Sequence, residues 1–161
     1  MGKYSEKVLN HVIKLLALFI AGGIVYIGVE ILWRGHTHWS MGIVGGLCFI
    51  LVGLINEVFT YKMYLEIQAV IASVIITVVE FFAGLLINVK LGWDVWDYSN
   101  LSFNIMGQVC LLFMILWFFL SFVAIIFDDV LRAIVFGEEK PNYRVWIIEK
   151  VKKLVDKYHG L

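Results

Sequence analysis

Glu30, Arg34, His36, His38, Glu80, Asn88, Asp97, Tyr98, Asn104 and Gln108 are the side chains whose types and spacing could do chemistry, and they fall in or beside long apolar stretches. An ionisable group is costly in hydrocarbon, so one placed there faces a bundle interior or a wet cavity and is a site hypothesis by default. Glu30 and Arg34 stand at i and i+4 above Tyr26, a spacing that stacks them on one helix face and lets them pair. The pair reads either as an ion pair that carries a charged loop into the headgroup region or as a clamp for an anionic or zwitterionic ligand.

His36 and His38 follow in the run Arg34-Gly-His-Thr-His-Trp-Ser40. In an extended turn, residues two apart project to the same side. Imidazole is a common ligand of divalent metals, and His36 and His38 would need a third donor, with Glu80 the candidate and Glu30 or Asp97 the alternatives. The competing reading is a hydrogen-bonded interfacial turn closed by Trp39 and Ser40.

Glu80 is the sharpest single residue. It lies 14 residues beyond Glu66, about 21 Å along a helix, which sets it in the outer half of a span. Thr77, Glu80, Gly84 and Asn88 recur at helical spacing as a narrow polar face. Glu80 there reads as a core carboxyl bonded to a neighbour, a general base, a metal ligand or a proton-coupling site. Asp97 and Tyr98 sit in the following loop, and Asn104 and Gln108 are expected on one face of the fourth span as the chain re-enters the membrane. Together these groups would line a polar pocket opening outward beneath an aromatic lid.

The elements that must position them are membrane helices. With 61% hydrophobic residues, one proline in 161 residues and a mean hydropathy of +0.89, the composition lies outside that of a water-soluble domain. Stretches of about 8–33, 40–59, 68–89 and 104–127 each approach the roughly 20 residues that cross the hydrocarbon core. The first is too long for a signal-peptide core and is read as a retained helix. The expected fold is an all-α, integral membrane four-helix bundle, up-down-up-down because the connections are short. Residues 1–137 would form this domain, and 138–161 a cytoplasmic basic amphipathic helix. The segment from Lys90 to Phe103 is too polar to span, and its Trp93, Trp96 and Tyr98 suit an interfacial outer loop. Gly42 and Gly46 form a GxxxG pair that permits close helix approach.

Lysine and arginine crowd both ends: Lys3, Lys7 and Lys14 open the chain, and Arg132, Lys140, Arg144, Lys150, Lys152, Lys153 and Lys157 close it. An even number of spans puts both termini on one side, and basic flanks mark that side as cytoplasmic in a multi-pass protein of the cell membrane. The charge pattern gives no sign of a nucleic-acid partner. From Asn142 to Tyr158, Val145, Ile148, Val151, Leu154 and Val155 alternate with lysines at helical spacing. Such a helix reads as an anchor on anionic lipid or as a dock for a soluble partner. Cys48 and Cys110 lie within expected spans and read as small apolar residues.

The runs GVEILWRGHTHWSMGIVGGLCFILVGLINE, TVVEFFAGLLINVKLGWDVWDYS and FNIMGQVCLLF carry the motifs E-x-x-W-R-G-x-x-H-W-S, T-x-x-E-F-x-x-G, W-D-Y-S and N-x-x-G-Q. Between Tyr26 and Trp117 the chain resembles the CmpB-like, ABC-transporter type IV family of small multi-pass membrane proteins. The resemblance implies a permease subunit of an ATP-driven system. The sequence has no GxxxxGK[ST] phosphate loop, so ATP hydrolysis would come from a separate ATPase subunit. Three functions follow as expectations. The first is a small-solute transporter or permease subunit, working as a homo-oligomer because four spans are few for a path. The second is a membrane-embedded enzyme, metal-dependent if a divalent metal is held, acting on a lipid or lipid-linked substrate with Arg34 on a phosphate. The third is a structural or accessory membrane protein.

Overall fold

The structure is a computed structural model and describes residues 2–59 and 63–159. The side chains of Leu154 and Lys157 lie outside the described residues. Among the described residues four helices are long and apolar enough to cross a membrane, and the chain is an integral membrane protein. Helix α1 (Gly2–Arg34) is followed by α2 (Trp39–Phe59) and α3 (Leu65–Gly84), which runs on into a π-helical turn (Leu85–Lys90). A hairpin of β1 (Asn104–Ile105) and β2 (Val109–Cys110) precedes α4 (Leu111–Phe136), and α5 (Trp146–His159) closes the chain.

Helix α2 is the most enclosed of the four. Met41, Val44, Cys48, Val52 and Ile55 recur every three or four residues along its buried face. Lipid tails are as apolar as leucine, so membrane helices associate through close packing and hydrogen bonds. The α1–α2 seam shows this directly. A methyl group added at Gly23 would stand 2.5 Å from the carbonyl oxygen of Gly42, and one at Gly46 would stand 2.5 Å from that of Phe19. Backbone therefore meets backbone along the GxxxG stripe. On the outer side of α1, Leu9, Val12, Leu16, Ile20 and Ile24 remain exposed, which suits a surface bathed in hydrocarbon.

Helix α1 stops at Gly35, whose φ of +74° is open to glycine at little cost. Its N–H bonds back to the carbonyl of Ile31 at 2.9 Å. The π turn that closes α3 shows in the bond from the Leu91 N–H to the Leu86 carbonyl, five residues back, at 3.0 Å. Such turns are rare and tend to occur where function or packing demands them.

The fourth span begins later and ends later than the apolar pattern suggests. Asn104 to Cys110 is a hairpin, with Asn104 opposite Cys110 and Ile105 opposite Val109. Met106 and Gly107 take φ values of 53° and 69°, the left-handed pair that a tight hairpin turn requires. Asn104 and Gln108 accordingly do not share a face of a fourth helix. At the other end α4 runs past residue 127 through Asp128 and Asp129 to Phe136, and Gly137, with φ 67°, caps it. The last helix likewise begins later than Asn142, at Trp146.

Candidate functional site

Glu80 sits at the centre of the site. It is 4% exposed, and its two carboxylate oxygens receive bonds from two other helices. The Tyr26 hydroxyl on α1 donates to Oε1 at 2.7 Å, and the Trp117 indole N–H on α4 donates to Oε2, also at 2.7 Å. Those two rings stack with centroids 5.5 Å apart, so the acceptor on α3 and the donors on α1 and α4 form one connected unit. A carboxylate can accept several bonds, and in hydrocarbon it is stable only when such donors are supplied. The sequence placed Tyr26 on the Glu30–Arg34 face; its hydroxyl instead turns inward to Glu80.

Beside this unit lies a cleft of about 240 Å³ between α1, α2 and α4, with Gly22, Tyr26, Cys48, Phe49, Trp117 and Phe127 among its walls. Its lining is almost wholly apolar, and the two ring donors at its edge are already committed to Glu80. Thr77 turns away from the unit and bonds its own helix at the Ser73 carbonyl, 2.8 Å away.

The polar residues at the end of the bundle that carries the 91–103 loop form a second group. Arg34 pairs with Glu30 at 2.8 Å and donates to the carbonyl of Val95 at 3.0 Å, while the Thr37 hydroxyl bonds the other oxygen of Glu30 at 2.5 Å. Asn88, raised on the π turn, uses its whole amide. It donates to the carbonyl of Trp96 and to Oε1 of Gln108, each at 2.9 Å, and accepts the N–H of Val95 at 2.8 Å. The Trp96 indole completes the frame by donating to the Gln108 carbonyl at 2.9 Å. Trp96 is therefore buried and acts as a plug rather than as part of an aromatic belt.

Asp97 and Asn104 shape the loop itself. Asp97 accepts the backbone N–H and the hydroxyl of Ser99, each at 2.8 Å, and these bonds hold its carboxyl below the usual carboxylate range. Asn104 donates to the Leu101 carbonyl at 2.8 Å and accepts the Gly107 N–H at 3.1 Å. Tyr98 stacks on Phe113 at 4.4 Å, and burial, ahead of the nearby carboxylates, pushes its phenol above the ordinary tyrosine range.

The two histidines part company. His38 caps α2: its Nδ1 accepts the Ser40 backbone N–H at 3.3 Å and stands 2.8 Å from the Ser40 hydroxyl oxygen. Its ring also meets Trp39 and Trp93 at 5.4 and 5.3 Å. His36 is exposed and donates to the carbonyl of Arg34 at 3.0 Å. Neither imidazole reaches Glu80. Among the described residues, no three His, Cys, Asp or Glu side chains gather as a metal site would require. Cys48 and Cys110 are buried and free.

A third cluster, at the opposite end of the bundle, escaped the sequence reading. Asp128 and Arg132 on α4 are 0% and 3% exposed, and the Arg132 Nε donates to Asp128 at 2.5 Å. Arg132 also meets Glu57 on α2, which Lys14 on α1 contacts at 3.1 Å, and Lys14 in turn pairs with Glu138. Asp129 accepts bonds from Asn56 and from Tyr143, each at 2.6 Å. Gly53 makes room for this cluster, since a methyl group there would stand 2.5 Å from Oδ2 of Asp128. The available signal was the i, i+4 spacing of Asp128 and Arg132 at the end of an apolar run.

Comparison with known families agrees with the resemblance carried by the motifs: the family described as Putative ABC-transporter type IV matches residues 8–151. No curated protein and no solved structure matches the chain. With nearly its whole length matched, from the first span into the C-terminal helix, the chain belongs to the Putative ABC-transporter type IV family.

Proposed function

We propose that this chain is a permease-type membrane subunit that moves a small solute, with Glu80 as the residue on which movement depends. The observation that carries the reading is the placement of one intramembrane carboxylate on α3 between a donor from α1 and a donor from α4. A solute offering N–H or O–H groups would replace Tyr26 and Trp117 on Glu80 and release both helices at once. A ligand shifts a conformational equilibrium only through such a difference in contacts between two states.

In this reading the four spans run up-down-up-down with both termini in the cytoplasm. The end of the bundle that carries Glu30, Arg34, His36, His38, Asn88, Asp97, Tyr98, Asn104 and Gln108 faces outward. Opening the Arg34–Val95 and Asn88–Trp96 contacts would uncover a polar pocket above Glu80. Residues 1–137 would work as the transmembrane domain and 138–161 as a cytoplasmic appendage. An ATPase supplied by a separate subunit would drive the cycle, and a second copy of the chain would complete the path.

One observation favours a second reading, that of an accessory membrane protein. Asn88, Asp97, Asn104 and Gln108 spend their bonds on the outer loop, as a purely structural frame would.

The test is purification from native membranes in a mild detergent, followed by reconstitution of whatever complex survives. A stoichiometric ATPase whose turnover changes with Glu80→Gln supports the permease reading. A chain that purifies alone, with Glu80→Gln leaving its cellular phenotype untouched, supports the accessory reading and overturns the first.

A further inference from the structure

We propose that α5 is a lipid-binding helix whose apolar stripe lies in the headgroup layer of an anionic leaflet, with lysines on its two edges against lipid phosphates. How the helix is held leads to this reading. The Glu66 carboxylate, on the first turn of α3, accepts the backbone N–H groups of Trp146 and Ile147 at 3.1 and 3.3 Å. It thus caps the start of α5 with negative charge, where a helix end favours it. The Leu65 N–H bonds the Arg144 carbonyl at 2.8 Å. Glu149 receives the Tyr64 hydroxyl at 3.0 Å and the Arg144 Nε at 2.9 Å, and the Arg144 guanidinium lies 4.5 Å over the Tyr64 ring.

Those of these contacts that reach α5 itself use its first turn and Glu149, and the rest hold Arg144 just ahead of it. At 3.6 residues per turn, Ile147, Ile148, Val151 and Val155 cluster on the side away from Glu149. They are 55%, 63%, 52% and 46% exposed. Lys150 borders this stripe on one edge and Lys152 on the other, with Lys153 beyond Lys150. The bundle thus grips the polar side of the helix and leaves the apolar stripe free.

Two features identify the occupant. The first is charge: Glu149 is spent on Arg144 and Tyr64, so the free side of α5 presents an apolar band between cations, the pattern that seats a helix on anionic lipid. The second is position: α5 is bonded to the residues that open α3, where a membrane span begins. The stripe is therefore offered at headgroup level and not deep in the cytoplasm. A second copy of α5 would bring lysine edges against lysine edges. The proposal stands apart from the transport reading, because it needs neither substrate nor ATPase.

The test places an environment-sensitive dye on Val151→Cys or Val155→Cys in the full chain, one copy per nanodisc, in phosphatidylcholine alone or with phosphatidylglycerol added. Both leaflets of such a disc carry the same lipid, so the result does not depend on which way the chain inserts. Lipid-borne spin labels should quench both dyes in the anionic discs. Lys150→Gln and Lys152→Gln, exposed changes that spare the bundle, should each lower the ratio of docked to free helix by roughly fivefold. Dyes that stay in water in both discs would overturn the proposal. So would quenching indifferent to lipid charge and to the lysines, or shielding that appears only when two copies share a disc.

Discussion

The hydroxyl of Tyr26 bonds Oε1 of Glu80 at 2.7 Å across 54 residues of sequence, tying the first membrane helix to the third through a single proton. Removing that hydroxyl leaves a buried acceptor with one donor fewer. Tyr26→Phe should therefore destabilise the bundle by about 1 kcal/mol, near the range measured for interhelical bonds in membranes. Glu80→Gln keeps an acceptor for Tyr26 but must turn an NH2 toward the Trp117 indole N–H, so it should cost more. Unfolding of the purified protein in mixed micelles by increasing SDS, run as a double-mutant cycle on Tyr26→Phe and Glu80→Met, which takes away the acceptor altogether, measures the coupling. Strictly additive losses would show that the two residues do not act through this bond.

Gly53 and Gly28 make a matched pair of glycines within spans. A methyl group at Gly53 would collide with the Asp128 carboxylate, whereas one at Gly28 meets nothing within 4 Å. Gly53→Ala should cost about 1–3 kcal/mol, as overpacking does. Gly28→Ala should be neutral, or stabilising by up to about 1 kcal/mol through helix propensity. The same SDS titration separates them, and equal effects would remove the argument that Gly53 exists to admit Asp128.

His38 and His36 should also behave differently. As the N-cap of α2, His38→Ala is expected to cost about 1 kcal/mol, and His38→Asn, whose side chain caps well, should recover most of it. His36→Ala, at an exposed position, should change little. A metal shared by the two rings would make both alanine variants lose bound metal alike, which elemental analysis of the reloaded protein would reveal.

The spans were legible in the sequence because twenty apolar residues in a row admit few other readings, and the GxxxG stripe announced its packing. Asn104 to Cys110 was misread because apolar Ile105, Met106, Val109 and Cys110 continue the hydropathy of α4 without a break. Only the left-handed turn at Met106 and Gly107 separates them. Glu80 stood out through its depth, but its partners could not be read, since Tyr26 and Trp117 come from other helices and aromatic residues abound in the chain. Asp128 and Arg132 did not stand out as a buried pair in the sequence because charge at the end of an apolar run usually marks water. Here α4 carries that charge onward into the protein.

Asp97 offers a titration outside the spans. Its carboxyl is held low by the N–H and hydroxyl of Ser99, so the folded value lies below the unfolded one. The stabilising contribution of this turn is then present above the unfolded carboxylate range and is lost as pH falls through the depressed folded value. Hydrogen exchange at the Ser99 amide should report it: protection, corrected for intrinsic exchange, ought to fall on acidification in the wild type. In Asp97→Ala it should be low at every pH. Protection that does not vary with pH in the wild type would mean that the Ser99 amide is held by something other than the carboxylate.

Arg132 gives the largest predicted effect, because what matters is the charge left behind. It is 3% exposed and bonds Asp128, which is 0% exposed, in a cluster where Glu57, Asp128, Asp129 and Glu138 outnumber Lys14 and Arg132. Among the described residues, Oδ1 of Asp128 and Nη2 of Arg132 have no hydrogen-bond partner, so the pair is already incompletely satisfied there. Arg132→Met removes the guanidinium and strands the carboxylate among other acids, for a loss of about 3–5 kcal/mol. Replacing both, as Asp128→Leu with Arg132→Met, removes the buried charge along with its partner and should recover much of that loss, although Glu57 then keeps only Lys14. If the double variant is no more stable than Arg132→Met alone, the pair contributes through its links to Glu57 and Glu138 rather than through Asp128, and the cluster must be treated as one unit.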